Sequence, residues 1–396
     1  MPEVQEVFRM ATQKVRPEPG ALDRQVQLQR RPPRRTAALV VGLAAAAAIV
    51  AVTAIVATDR GSGSGSVPAA TGNGGPDAVL SLSGHPSGIA EAGGSIWVTT
   101  FDGTLYRIDP TSSQIIEHVP LDIHACGDLV VDSGAIYVSG CGYWPPDVTV
   151  RIDTATGKVT DPWSPYISPV FGGGRVWAFG AGEPHRDGAE IDPVTGALIR
   201  ALPTPPRGYA FGSLWTGGTD QDGRAVVVRS DPTTGDTLQT YVLPDGLGVN
   251  PEHGKPGGFV ETGGFVWMTA YEGDVHGREG AVTEGALLRL DPNSDAVEQI
   301  LPLSLDPSMQ GATHSGAPLD EYTPGPEVYL TSHGGSVWVA RSPDTVVEVD
   351  AVTGAVVQTF AAAGTFATNV EVTDDAVWIT NYGDDSVWRY DLSSSS

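Results

Sequence analysis

The stretch VWVARSPDTVVEVDAVTGAVVQTF, Val337 to Phe360, decides how the rest of the chain is read. It opens on an aliphatic residue followed by an aromatic, crosses a polar loop, alternates apolar and polar residues through VVEVD, turns at DAVTG and ends in one more apolar segment. Alternation with period two, broken by turn residues, is the pattern of short half-buried strands. Variants of the unit recur along nearly everything after residue 77, with openings at Ile96-Trp97, Ile136-Tyr137, Val176-Trp177, Leu214-Trp215, Val266-Trp267, Val337-Trp338 and Val377-Trp378.

The aromatics of these seven copies stand 40, 40, 38, 52, 71 and 40 residues apart, which suits four short strands per unit with insertions in two of the units. An all-β, seven-bladed β-propeller over residues 77–392 is the fold expected. The repeated Trp and Tyr side chains should pack between neighbouring blades. The last unit stops after VWRYDL and a serine tail, 393–396, one strand short. The segment DAVLSLS, Asp77 to Ser83, supplies the missing outer strand and removes an exposed sheet edge.

Upstream of the repeats the chain changes character. Residues 1–36 carry 8 basic and 4 acidic side chains, against 15 basic and 43 acidic in the remainder. In this tail Val4, Val7, Phe8, Ala11 and Val15 share one face of a short helix, a candidate docking surface for a cytoplasmic partner beside the plainer reading of a weakly ordered tail. From Ala37 to Thr58 run 22 residues without a charge, preceded by Arg30, Arg31, Arg34 and Arg35. As a helix this segment spans roughly 33 Å, enough to cross a hydrocarbon core of about 30 Å. It reads as a single transmembrane anchor rather than a cleaved signal, with the arginines inside and the propeller outside a bacterial-type cell membrane. Residues 59–76, rich in Gly and Ser, form a flexible linker. The acidic body excludes nucleic acid as a partner and leaves cations and basic partners open.

The turns DPTSS, DTATG, DPVTG, DPTTG and DAVTG carry Asp109, Asp153, Asp192, Asp231 and Asp350. Their recurrence in blade after blade marks turn chemistry, in which Asp caps its own backbone and Gly takes positive φ, rather than metal ligation. Cys126 and Cys141 flank a hairpin centred on Ser133-Gly134, where paired residues sum to 267 and the cysteines fall opposite each other. A disulfide is expected in an extracytoplasmic body.

In a propeller the loops entering each inner strand and those joining second to third strands share one face. The long insertions all fall on that side: CGYWPPDV, GAGEPHRDGA, AYEGDVHGREGAVTEGA, PDGLGVNPEHGKPGG and LSLDPSMQGATHSGAPLDEYTPGP. A small molecule or a protein should therefore meet this elaborated face. The candidate ligand-binding residues are His124, Trp144, His185, His253, Asp274, His276 and His314, with His85, Glu183, Glu252 and Glu272 near them. Mixtures of His and carboxylate bind divalent metals or move protons, yet no HxxxH or HExxH spacing is present, and solvated or locally bonded histidines fit as well. Glu91, Asp132, Glu261 and Glu371 fall near the ends of inner strands, where four carboxylates could ring the channel and hold Mg or Ca; solvated channel charges are the plainer reading. No cofactor is otherwise expected, for no GxSxG, Walker-type loop or Rossmann fingerprint is present.

At HPSGIAEAGGSIWVTTFDGTLYRIDPTSSQIIEHVPL, His85 to Leu121, the sequence resembles the YVTN-type seven-bladed propellers and, distantly, streptogramin (virginiamycin B) lyase. The resemblance implies the architecture. The lyases carry a catalytic His in a P-H-G-I stretch, a Glu closing W-F-T-E and magnesium at the channel mouth; here Ser87 stands at the His position and Thr100 at the Glu position. The other blades end in Gly140, Gly180, Gly218, Ala270, Arg341 and Asn381, so no catalytic residue carries over. A binding or scaffold module is the function expected first. A metal-assisted lyase or lactonase and a sensor coupled to the cytoplasm through residues 1–36 are the alternatives.

Overall fold

Each repeat folds as its alternation dictates, into one antiparallel sheet. The computed structural model describes residues 75–140, 148–163, 166–180, 188–248, 259–272, 284–304, 330–341, 345–361 and 367–392. Among these there are seven sheets, the blades of the propeller. Blade 1 consists of Pro86–Ala92, Ser95–Thr100, Thr104–Asp109 and Gln114–Pro120 from inside to outside. Blades 2, 3, 4, 5 and 6 span 125–163, 166–202, 208–242, 247–304 and 330–361, and blade 7 begins at 367. Successive inner strands are neighbours, and the inner strand of blade 7, Ala367–Val372, lies beside that of blade 1, so the ring closes. No helix among the described residues is long and apolar enough to cross a membrane; the expected span 37–58 and the tail 1–36 lie outside them, as do residues 59–74 of the linker.

Closure comes from the first segment, as its sequence promised. Ala78–Ser81 pairs antiparallel with Ser386–Asp391, in register from Ala78 opposite Arg389 to Ser81 opposite Ser386. Leu80 and Leu82 are buried with Trp378 and Val387 of blade 7 and Ile89 and Ile96 of blade 1.

The second-strand aromatics Trp97, Tyr137, Trp177, Trp215, Trp267, Trp338 and Trp378 are all buried between blades. Opposite each stands a long charged side chain of the third strand. It is Arg for Trp97, Tyr137, Trp215, Trp267 and Trp378, and Glu for Trp177 and Trp338. Arg107, Arg229, Arg289 and Arg389 place their guanidinium 5.2–5.9 Å from the facing indole. Two of these arginines also reach into the next blade: Arg229 Nη1 donates to the Pro292 carbonyl at 2.7 Å and Arg289 Nη1 to that of Val352. In blade 3, where Glu190 replaces the arginine, Arg175 and Arg200 flank it at 3.6 and 3.1 Å and clasp the Pro232 carbonyl at 2.9 and 2.8 Å. Each clasp seizes the D-x-x-x turn of the following blade, so the turn motif is also a docking element.

In those turns one Asp carboxylate oxygen gathers the backbone N–H groups that follow it. Asp192 Oδ1 accepts from Val194 N at 3.0 Å, Thr195 N at 2.7 Å and Thr195 Oγ1 at 2.9 Å, and Asp109, Asp153, Asp231 and Asp350 repeat the pattern. Asp291 is a sixth case. Gly196 is required twice over: its φ is +67°, and a Cβ would lie 2.7 Å from the Trp163 ring of blade 2. The backbone N–H of Thr195 holds the Asp192 carboxyl below its ordinary 3.8, and bonds from turn donors lower the other five likewise. A folded value below the unfolded one means stability that is present above about pH 3.8 and is lost as the pH falls through the lowered values. Asp192→Asn should thus be less stable than the parent at neutral pH, with the gap closing in acid. Denaturant midpoints taken from about pH 6 down to 2 check this, and a gap independent of pH would refute it.

Most outer strands carry a register shift near their start. Ile116, Ile199, Leu238 and Val357 are the extra residues in blades 1, 3, 4 and 6, each more than half exposed. A bulge there twists the open edge away from pairing with another chain.

Two details depart from the sequence reading. The hairpin of blade 2 keeps its expected register from Asp132 opposite Ala135 to Leu129 opposite Val138, then shifts, so that Ala125 faces Gly140. A bulge between them breaks the sum rule that set Cys126 opposite Cys141. Cys141 and the Cys126 side chain lie outside the described residues, and so does any bond between them. In blade 5 the insertion splits the inner strand instead of preceding it. Leu247–Gly248 pairs with Tyr271 and Glu272, and Phe259–Thr262 pairs with Phe265 to Met268. The second strand, Phe265–Glu272, is long enough to need both partners for its backbone.

Candidate functional site

The two faces of the ring differ in their connections. Opposite the elaborated face, first and second strands join through two residues in six blades, with φ positive at both: Gly93-Gly94, Ser133-Gly134, Gly173-Gly174, Phe211-Gly212, Gly263-Gly264 and Gly334-Gly335. This is the tight primed hairpin turn that matches strand twist. On the other face the connections run to 8 residues at 141–148, 11 at 273–283 and 25 at 305–329.

At the seam between blades 7 and 1 on that elaborated face, His85 sits between the closing strand and the first inner strand. Its backbone N–H donates to Asp385 Oδ1 at 2.9 Å, and its Nδ1 lies 2.8 Å from the same oxygen and 3.2 Å from the Tyr382 carbonyl. Both neighbours accept only, so Nδ1 is the donor, and in the neutral tautomer that this selects the lone pair is on Nε2. The Tyr382 ring stacks on the imidazole, with centroids 4.6 Å apart and planes 17° from parallel. Half of the His85 side chain stays accessible, at 43%. A carboxylate-oriented imidazole with an open Nε2 can accept a hydrogen bond or a proton from a bound molecule.

The next seam repeats one part of this, a histidine beside an aromatic ring. His124, before the inner strand of blade 2, lies 5.7 Å from the ring of Phe101, which follows the second strand of blade 1 as Tyr382 follows that of blade 7. Phe101 N in turn donates to the His85 carbonyl at 2.9 Å. Gly103 holds this corner: its φ is +84°, and a Cβ would fall 1.9 Å from the Ile123 carbonyl oxygen. Phe101 thus joins the two seams, bonding His85 through its backbone and meeting His124 with its ring. On the same face Arg207 is buried, and burial pulls its guanidinium down to about 10, still charged at neutral pH.

Of the other expected site residues, Trp144, His185, His253, Asp274, His276 and His314 lie outside the described residues, with Glu183 and Glu252; Glu272 contributes its backbone alone. The four carboxylates proposed for the channel do not share a register. Glu91 and Glu261 pair with Ile96 and Val266, one residue before the aromatic, whereas Asp132 pairs one residue earlier still and Glu371 pairs with Trp378 itself. Adjacent strand positions face opposite ways, so the two pairs point to different faces of their blades. Glu261 is committed to a seam, taking the Phe211 N–H of blade 4. Among the described residues no three His, Cys, Asp or Glu side chains come together as a metal would require. Ser87, at the position of the lyase histidine, spends its hydroxyl on the Ala125 carbonyl at 3.1 Å and on Thr99 Oγ1 at 3.2 Å. Thr100, at the position of the glutamate, donates to Asp102 Oδ1.

The reading of single residues missed the His85, Asp385 and Tyr382 group as a unit. Aligning the repeats would have found it, since Tyr382 falls under Phe101 and His85 under His124.

No protein-family model matches the chain, and no curated protein does. The resemblance to the YVTN-type propellers and streptogramin lyase has the quoted residues alone behind it. Many solved structures are similar in shape. One is BamB from Moraxella catarrhalis, 14% identical over 77% of this chain and 84% of that one, with a TM-score of 0.44. Another is the computationally designed Ika8 protein, 11% identical over 81% of this chain and all of that one, with a TM-score of 0.49. The strand pairing described above carries the fold: an all-β propeller of seven blades.

Proposed function

We propose that the chain is a membrane-anchored, extracytoplasmic propeller that binds a protein or small molecule through its elaborated face. One observation carries this reading: the connections longer than six residues are confined to one side of a rigid ring, while the other side keeps turns of two to six residues. Insertions on a closed scaffold cost little stability and supply the variable surface that recognition needs. The anchor is supported by the 22 uncharged residues from Ala37 to Thr58 behind four arginines. An acidic body favours a cationic or basic partner. A photo-crosslinking residue at Gln310, within the longest insertion, should give adducts in intact cells, and one at Val194, 86% exposed on a turn of the opposite face, should give none. Equal adducts at both positions would refute the assignment of the face. A second reading, acid–base or metal-assisted chemistry of a lyase or lactonase type at the same face, is favoured by the orientation of His85 by Asp385.

A further inference from the structure

We propose that the hairpin loop of blade 7, Asn381 to Ser386, binds a calcium ion that locks the ring at its closure. This stands independently of what the elaborated face recognises.

The argument starts from a buried acceptor. Asn381 ends the second strand of blade 7 with none of its surface exposed, and its Oδ1 has no hydrogen-bond partner. Leaving such an atom unpaired in the interior is costly. Its position is fixed by the rest of the amide: Nδ2 lies 3.4 Å from Ser386 Oγ, and Ser386 Oγ donates to Asp384 Oδ1. Because Oδ1 and Nδ2 share one carbon, Oδ1 stays close to the Ser386 hydroxyl that Asp384 holds, buried under the loop. Turning the amide over would only move the orphan to the nitrogen.

Around it acceptors outnumber donors. Asp385, at a φ of +55°, commits Oδ1 to His85, while its other oxygen has no partner among the described residues. Asp384 is exposed and has the Ser386 hydroxyl as its donor. The matching hairpin of blade 1 shows what a self-satisfied loop is like. There Thr100 replaces Asn381 and donates to Asp102 Oδ1, while Thr104 N bonds both Thr100 Oγ1 and Asp102 Oδ1 at 3.3 Å. Blade 7 exchanges that hydroxyl donor for an amide acceptor and adds a second carboxylate. An amide oxygen, a hydroxyl and two carboxylates are hard ligands on a short loop of irregular geometry, which suits calcium with its flexible shell of 6–8 oxygens better than octahedral magnesium. Water and loop carbonyls would complete the shell. The excess of 43 acidic over 15 basic residues outside the tail concentrates cations at the surface.

The consequence lies in what the loop holds. Asp385 accepts from Leu82 N through its carbonyl at 2.7 Å and from His85 N through its side chain at 2.9 Å, so it brackets the passage from the closing strand to blade 1. An ion fixing this loop fixes the closure.

The test uses the full-length chain, stripped with a chelator and titrated with calcium chloride while thermal unfolding is followed. The midpoint should rise by about 5 °C when calcium stands a hundredfold above its dissociation constant. Asn381→Ala and Asp384→Asn should abolish the rise, and Asp102→Asn, the equivalent change in blade 1, should keep it. Asp384 is exposed, so its variant decides the matter even if Asn381→Ala does not fold. No calcium-dependent rise in the parent, or a full rise in Asp384→Asn, would overturn the site. A rise of equal size with magnesium chloride would overturn the choice of ion.

Discussion

Deleting residues 77–83 is expected to cost about 5 kcal/mol or more and to leave a chain that unfolds near physiological temperature. Leu80 and Leu82 are 7% and 9% exposed, and burial of a leucine side chain contributes roughly 1.5–3 kcal/mol each. The four ladder positions from Ala78 to Ser81 vanish with them, exposing the edge of Ser386–Asp391. Three further bonds of the closure also go: Asp77 N to the Arg389 carbonyl at 2.8 Å, Asp391 N to Asp77 Oδ2 at 2.8 Å and Leu82 N to the Asp385 carbonyl. Against a typical net stability of about 5–15 kcal/mol the loss is decisive. Removing seven residues of the linker, 62–68, should change nothing comparable, because Gly/Ser-rich sequence buries little. Denaturant unfolding of the two truncations, side by side, reads the difference. If both melt with the parent, the first segment does not close the ring.

Why closure could be foreseen while other features could not is a matter of how local the causes are. The strand pattern, the Asp-led turns and the missing outer strand are written in neighbouring residues, since alternation and side-chain-to-backbone bonds act over two to four positions. The register of blade 2 is different. Whether an extra residue is taken up between Ala125 and Leu129 depends on how two strands fit, and no rule of sums from Ser133-Gly134 contains it. The same holds for Leu247–Gly248, whose pairing follows from the length of the strand beside it. Residues far apart in sequence hid the site most completely. His85 and Asp385 stand 300 positions apart, and each alone is an ordinary polar loop residue. The differing registers of the channel carboxylates have a smaller cause: one step along a strand turns a side chain to the other face, and positions judged only as near a strand end cannot resolve that step.

Trp267→Ala should destabilise the ring by about 3–5 kcal/mol, as large-to-small changes at fully buried aromatics do. Trp267 has no exposed surface and packs between blades 5 and 6 against Leu287, Leu301, Val337 and Val339. The sharper expectation concerns replacement by phenylalanine. The Trp267 indole N–H has no partner, so Trp267→Phe deletes a donor that was already unsatisfied. Trp97, at the same position of blade 1, donates its indole N–H to the Ala92 carbonyl at 3.0 Å. Trp97→Phe deletes a made bond, to a carbonyl that also closes its hairpin opposite Ser95, and should cost about 0.5–1.5 kcal/mol more than Trp267→Phe. The stacked arginines do not account for the difference, because Arg107 and Arg289 sit over their indoles at 5.2 and 5.7 Å and remain over either phenyl ring. Urea unfolding of both variants with an unchanged m-value isolates the comparison. Equal losses at the two sites would show that the ring's indoles act through volume alone, and that the bond to Ala92 contributes nothing to holding blade 1.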